Sequence, residues 1–217
     1  MKRIGLILFM LLAVIAVNAQ DGTSPSELKN AGNEAYRNKD YAKALENYEK
    51  AIAAWDKETD KTMIYATAVC AYKTQSYDKA LKYFDMSIAE NFKASNCTLY
   101  KSVVLEKQSK GDEALTVLKE GVIAYPEDTK LKSRLTKKYN TDANKIFEEG
   151  QQIVNTAIAD ATAGKFTTED AKYTSAMSKG KAKCKEAKEA LKKTYEVDPD
   201  NATAKKIDAA IDQILNL

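Results

Sequence analysis

Small and bulky apolar positions recur along this chain on a fixed ruler. From Gly32 the chain reaches Ala44 twelve residues on, Tyr48 four later, Ala51 three later and Asp56 five later. The same ruler laid from Ala68 meets Ala80, Phe84 and Ser87, and laid from Ser102 it meets Ala114, Leu118, Gly121 and then Pro126. The anchor alanines 44, 80 and 114 stand 36 and 34 residues apart. Small residues at such intervals let two helices approach closely, and the bulky residue one turn beyond fills the space between them. Ser24, Pro25 and Glu27 form a capping box that opens the first helix. At the far end Ile207, Ile211, Ile214 and Leu215 make one apolar stripe, with Lys205, Lys206, Asp208 and Asp212 off it.

Further landmarks keep the same register. Tyr41 and Tyr77 each stand three residues before an anchor alanine, and Tyr36 and Tyr72 each stand eight before it. A terminal half-unit, Ala187, Leu191 and Thr194 followed by Asp198-Pro199-Asp200-Asn201, repeats the second half of the pattern. This pattern resembles the tetratricopeptide repeat, a helix-turn-helix unit of about 34 residues, and the chain is similar to exported bacterial, Bacteroidetes-like members of that family. The resemblance implies an all-α, right-handed superhelical solenoid of helix-turn-helix repeats, with a long C-terminal helical hairpin and a capping helix. Residues 25–128 hold three such repeats, 129–201 form an irregular helical segment with an extended final repeat, and 202–217 form the cap. A cap is expected because each unit buries its apolar face only against its neighbours.

Two places depart from the ruler. The third unit, Lys110-Gly111-Asp112-Glu113-Ala114, lacks the aromatic before its anchor, as though its turn were shortened, which leaves the register of its first helix open. Between Ala114 and Ala187 two registers compete. In one, Thr129 to Tyr139 is a short helix paired with a helix carrying Ala143, Phe147 and Gly150. In the other, Ile146, Gly150 and Ile153 belong to the first arm of a long hairpin whose second arm runs from about Asp170 to Val197. The second is preferred, because Asp160 to Thr168 reads as a loop and the next helix runs directly into the Asp198-Pro199 stop.

The first nineteen residues differ in kind. Lys2 and Arg3 precede an uncharged apolar stretch from Ile4 to Val17, and Val17-Asn18-Ala19 supplies small residues for cleavage, the pattern of a secretory signal peptide. Residues 1–19 are therefore expected to be removed, leaving a linker over 20–24 and a periplasmic or secreted protein. The stretch is shorter than the roughly 20 apolar residues that span a bilayer.

Composition then narrows the function classes. A hydrophobic share of 44% with 30% charged residues is a globular balance, and only 8 Gly and 3 Pro favour long helices. Without Lys2 and Arg3 the chain carries 32 basic and 31 acidic residues, far from the excess that phosphate backbones demand, so nucleic acid is not an expected partner. The chain contains no His, which removes the commonest general base, metal ligand and pH switch together. No Gly-rich loop suits a nucleotide. Neither catalysis, a metal nor a cofactor is expected. Cys70, Cys97 and Cys184 are odd in number and widely spaced, so they are expected to stay free; Cys184, in a lysine-rich stretch, is the one candidate for a lowered thiol pKa.

From Lys165 to Lys193 there are nine lysines and four acids. This reads as a solvated helix face, or as an arm leaning on an acidic partner or on anionic lipid, so membrane contact is at most peripheral. The resemblance implies a binding surface on the concave side, lined by the first helix of each repeat. Its candidates are Lys29, Asn33, Tyr36 and Arg37 from the first unit, Tyr65, Val69, Tyr72 and Lys73 from the second, and Tyr100 and Lys101 from the third. Tyrosines offer contact area at low entropic cost, and adjacent cations suit carboxylates or carbonyls of an extended peptide; Tyr36 and Tyr72 could equally pack between helices, an alternative that weighs less for Tyr65. Lys29 and Asn33 also match two residues of the family's carboxylate clamp, but Ala66 stands where a second Asn is expected, so that specificity is not carried over. The resulting expectation is a non-enzymatic protein–protein interaction module holding a peptide or protein segment in its groove. The alternative is a structural adaptor of an envelope or secretion complex, engaged through the C-terminal hairpin or the convex face.

Overall fold

The computed structural model describes residues 24–55 and 60–217; the expected signal peptide, most of the linker and Asp56 lie outside the described residues. All regular structure among them is helical: α1 (Pro25–Arg37), α2 (Tyr41–Ala54), α3 (Lys61–Lys73), α4 (Tyr77–Ala89), α5 (Ala94–Lys107), α6 (Gly111–Ala124), α7 (Thr129–Thr162), α8 (Ala171–Val197) and α9 (Ala202–Leu215). Consecutive helices pack as antiparallel pairs, α1 with α2, α3 with α4 and α5 with α6, and each pair rests on the next.

The helix starts follow from their caps. The Ser24 hydroxyl accepts from the Glu27 amide at 3.2 Å while the Glu27 carboxylate accepts from the Ser24 amide at 2.8 Å, so two otherwise orphaned donors are satisfied. Asp40, Asp60, Asp128 and Asn201 cap α2, α3, α7 and α9 through their side-chain oxygens.

The anchors Ala44, Ala80 and Ala114 are buried, and Tyr48, Phe84 and Leu118, four residues after each, are among the largest fully buried side chains. Each large residue of this kind contributes about 1.5 to 3 kcal/mol by leaving water. Opposite them stand Gly32, Ala68 and Ser102, also buried. A Cβ on Gly32 would lie 2.6 Å from the Tyr48 ring, which explains why the ruler begins on a glycine.

The third turn is not shortened. Lys39, Gln75 and Ser109 each sit in the left-handed region, at φ 61°, 58° and 61°, and each falls five residues before its anchor alanine. In all three turns the next amide closes on the helix behind it: Asp40 on Ala35, Ser76 on Ala71 and Lys110 on Leu105. The missing aromatic is therefore a substitution at constant geometry. Gly111 occupies the place of Tyr41 and Tyr77, and a Cβ there would meet nothing within 4 Å. With the turn fixed, the register of α5 is fixed as well.

Beyond the third pair the architecture changes. The 34-residue α7 runs without a break through both the short 129–139 helix and the Ile146–Ile153 arm, and it turns through residues 163–170 into the 27-residue α8. Of the landmarks of the two competing registers, Ala143, Phe147 and Gly150 are buried on α7 while Ile146 and Ile153 are half-buried; Ala187, Leu191 and Thr194 of the terminal half-unit are buried on α8. They share one core with Ala204, Ile211 and Ile214 of α9. A small cluster of Leu118, Leu131 and Leu135, packed against Val197 and Tyr139, joins this core to the repeats.

All three thiols are buried and free. Burial pushes Cys184 above its ordinary pKa despite the surrounding lysines, because its side chain turns into the helix interface while the ammonium groups face outward. The lysine-rich context therefore does not activate it.

Candidate functional site

Two rows of helices give the repeats two faces. Side chains tie the first helices to one another: Lys29 of α1 meets Asp60 at the cap of α3 at 2.6 Å, and Asn96 of α5 donates to the Tyr65 hydroxyl of α3 at 2.8 Å. Arg134 of α7 pairs with Glu106 near the end of α5. The second helices are tied separately, Lys79 of α4 meeting Glu49 of α2 at 2.7 Å. In a solenoid of helix pairs the first-helix row forms the concave side.

On that row the candidates fall into three groups. Lys29 and Asn33 are already engaged: Lys29 in its ion pair, and Asn33 as the acceptor for the hydroxyl of buried Tyr48 at 2.9 Å. They brace the first repeat. Tyr65, Tyr72 and Tyr100 are brought together, with Val69 half-buried among them. Tyr72 packs at a tilt on Tyr100 at 5.6 Å between ring centres, and Tyr100 stacks on Phe84 at 5.6 Å and 6°. Tyr65 meets Phe92 edge-on, with the Lys93 ammonium 4.4 Å from its ring centre. Tyr36 stands further along, edge-on to Tyr41, and Arg37 and Lys73 are exposed in the last turns of α1 and α3.

Lys101 is set apart. It bonds Asp85 of α4 at 2.6 Å and lines a cavity of about 500 Å³ with Asp112 and Glu113 of α6, on the second-helix side of the stack. One residue along a helix turns a side chain by about 100°, which is why Tyr100 and Lys101 face different ways.

Burial raises the Tyr36 and Tyr65 phenols above their usual pKa, with desolvation the largest cause in each, and Tyr48 is pushed up to about 12. These groups stay neutral across physiological pH, offering a ring and a hydroxyl but no charge.

The sequence reading missed the continuation of this surface. A cavity of about 690 Å³ lies between α5 and α7, lined by Asn96, Tyr100 and Val103 on one side and Lys130, Arg134 and Lys137 on the other. A second, of about 800 Å³, lies between α7 and α9, reaching Lys145, Asn144, Thr203 and Ile207. The two share Ser133 and Lys137 and so form one groove along α7. Its wall is held by a buried network. Thr194 of α8 donates to Asn140 at 2.8 Å, and Asn140 donates to Asn201, the cap of α9, at 2.9 Å. The available signal was Lys130, Lys137 and Asn144 at intervals of seven, one stripe of a continuous helix.

No group of acids and thiols suited to a metal ion occurs among the described residues, and no helix there is long and apolar enough to cross a membrane.

Residues 29–96 match the family described as tetratricopeptide repeat. A tetratricopeptide-repeat protein of Bacteroides fragilis superposes with a TM-score of 0.56 at 22% identity, over 88% of this chain and 99% of that one. A tetratricopeptide repeat protein from Parabacteroides merdae gives 0.49 at 10% identity, over 90% and 75%. No curated protein matches the chain significantly. The first likeness reaches across the hairpin as well as the repeats and shows the fold, and the family match rests on the segment carrying Ala44, Tyr48, Ala80 and Phe84. With repeating turns and buried landmarks in register, residues 29–96 are similar to the tetratricopeptide repeat, and the chain shares the fold of the Bacteroides fragilis protein.

Proposed function

We propose that this protein is a non-enzymatic protein–protein interaction module that holds an extended segment of a partner polypeptide along its concave face. The carrying observation is the half-buried row of Tyr65, Tyr72 and Tyr100, which opens without interruption into the groove along α7. Rigid aromatic rings beside polar groups suit a peptide with side chains on both sides and backbone carbonyls to satisfy. The leader-like residues 1–19 support work outside the cytoplasm, in the periplasm or secreted.

The test is Tyr65→Ala with Lys73→Ala, which is expected to weaken binding of a partner captured from the native envelope fraction by about 2 kcal/mol, the scale of an aromatic hot spot. Because Tyr65 is bonded to Asn96, thermal melts run alongside, and Tyr65→Phe, which keeps the ring, should retain most of the affinity. Charge reversal at Lys181 and Lys185 of α8 is the contrast. If those changes abolish binding while the Tyr65 and Lys73 pair is neutral, the adaptor reading through the hairpin replaces this one. That reading draws on Phe166 and Tyr173, packed at 6.3 Å where the hairpin turns.

A further inference from the structure

The groove along α7 is cationic, and its charges are differently engaged. Lys130 sits beside the Asp128 carboxylate, and Arg134 is paired with Glu106. Lys137 and Lys145 are exposed and have no ion-pair partner among the described residues. The single acid in the lining, Glu148, is occupied by the Asn144 amide at 2.6 Å. The cavity on the opposite face reverses the balance: Asp112 and Glu113 stand unpaired there and Asp85 takes up its only cation, Lys101. A segment carrying carboxylates is therefore drawn to one side of the stack and repelled from the other.

From these observations we propose that the partner segment is acidic and extended, that it lies along α7, and that its carboxylates are spaced three to four residues apart to meet Lys130, Lys137 and Lys145. The spacing follows from geometry. At about 1.5 Å of rise per helical residue, the three lysines stand roughly 10 and 12 Å apart along the axis. An extended peptide advances about 3.3 Å per residue, so these intervals correspond to about three and four residues. Between the charges, Leu99, Val103 and Ile207 give the intervening side chains an apolar wall. This inference rests on the reading of the concave face as the binding surface.

The probe is a degenerate library of about twelve-residue peptides, long enough at about 3.3 Å per residue to span the groove, selected on the full-length protein. Enriched peptides are then titrated against Lys137→Gln with Lys145→Gln, the Lys137→Arg with Lys145→Arg control, and the Tyr65 and Lys73 pair. Enrichment of Asp and Glu at three- and four-residue intervals supports the proposal, with affinity falling about tenfold or more in the glutamine variant and recovering in the arginine one. Affinity should also fall steeply as salt rises from about 50 to about 500 mM. Both lysines are exposed, so the glutamine variant should melt like the parent. Enriched peptides that are neutral or basic, and that depend on Tyr65 and Lys73 alone, overturn the acidic assignment and leave the concave reading standing. Peptides indifferent to both pairs, or no enrichment at all, overturn both. Concentration-dependent self-association that is lost in the glutamine variant would assign the groove to a second copy and overturn the proposal.

Discussion

Helices α1 to α6 are 13 or 14 residues long and meet in pairs with a small residue, Gly32, Ala68 or Ser102, opposite Tyr48, Phe84 or Leu118, whereas α7 and α8 run for 34 and 27 residues and meet glycine to glycine. In the repeats the tight point at Gly32 is against the Tyr48 ring, a side chain. In the hairpin, a Cβ on Gly150 would lie 2.8 Å from the carbonyl oxygen of Gly180, and one on Gly180 would lie 2.9 Å from that of Gly150. Backbone faces backbone, so no rotamer change can relieve added bulk. The repeats also protect one another, each pair covered on both sides except the first, while the hairpin depends on α9 alone to cover its remaining apolar face. Two ways of holding helices together thus meet at the Leu118, Leu131 and Leu135 cluster, and the α7 groove begins where one gives way to the other.

The sharpest way to separate the two regions is to remove the cover. Deleting residues 202–217 takes away Ala204, Ile211 and Ile214 and uncaps the core they share with α7 and α8. The expected loss is several kcal/mol, at about 1.5 to 3 kcal/mol per large buried side chain. Calorimetry should show the hairpin melting early while α1 to α6 keep their transition; a truncated protein that melts like the parent would mean α9 covers nothing of consequence.

Gly180→Ala probes the crossing itself. The new Cβ would come within 2.5 Å of Val154 and 2.9 Å of the Gly150 carbonyl oxygen. Pushing two backbones apart should cost about 2 to 3 kcal/mol, read from denaturant unfolding. Gly111→Ala, in a repeat turn where a Cβ meets nothing within 4 Å, should be neutral or slightly stabilising as a helix position loses its glycine. Equal effects at the two glycines would erase the distinction drawn between the regions.

The smallest effect belongs to the first repeat junction. Lys29 beside Asp60, with the Thr62 and Met63 amides, holds the Asp60 carboxyl below its usual range. A depressed carboxylate contributes stability above its unfolded pKa and loses it as pH falls through the folded value. The repeats should therefore weaken below about pH 4, and Lys29→Gln should reduce that acid sensitivity while costing less than about 1 kcal/mol near neutrality. An unchanged pH profile in Lys29→Gln would show that the pair contributes nothing at this junction.

The repeats were legible because each unit restates the same packing rule, so three weak landmark sets reinforce one another from Gly32 to Gly121. The candidate site was legible only in part. Tyr72 packs on Tyr100 across α3 and α5, and Tyr65 reaches Asn96 of α5, but with the register of α5 open in the sequence, the direction of Tyr100 was not separated from that of Lys101. Nor did it reveal that Lys29 and Asn33 are consumed by Asp60 and Tyr48.

The sequence by itself determined the helical class, the first two repeat turns and the landmark alanines with the bulky residues four places on, because these depend on local caps and on periodicities within about one repeat. It did not determine that residues 129–162 form one helix, since both registers offered buried small residues and either would have satisfied a local pattern. Tertiary structure decided between them by packing Ala143, Phe147 and Gly150 directly against α8 and by closing the end with α9. The same decision created the groove. Lys137 and Lys145 share a face with Asn96 and Ile207 only because α7 passes unbroken from the side of α5 to the side of α9, a long-range arrangement that no local pattern encodes.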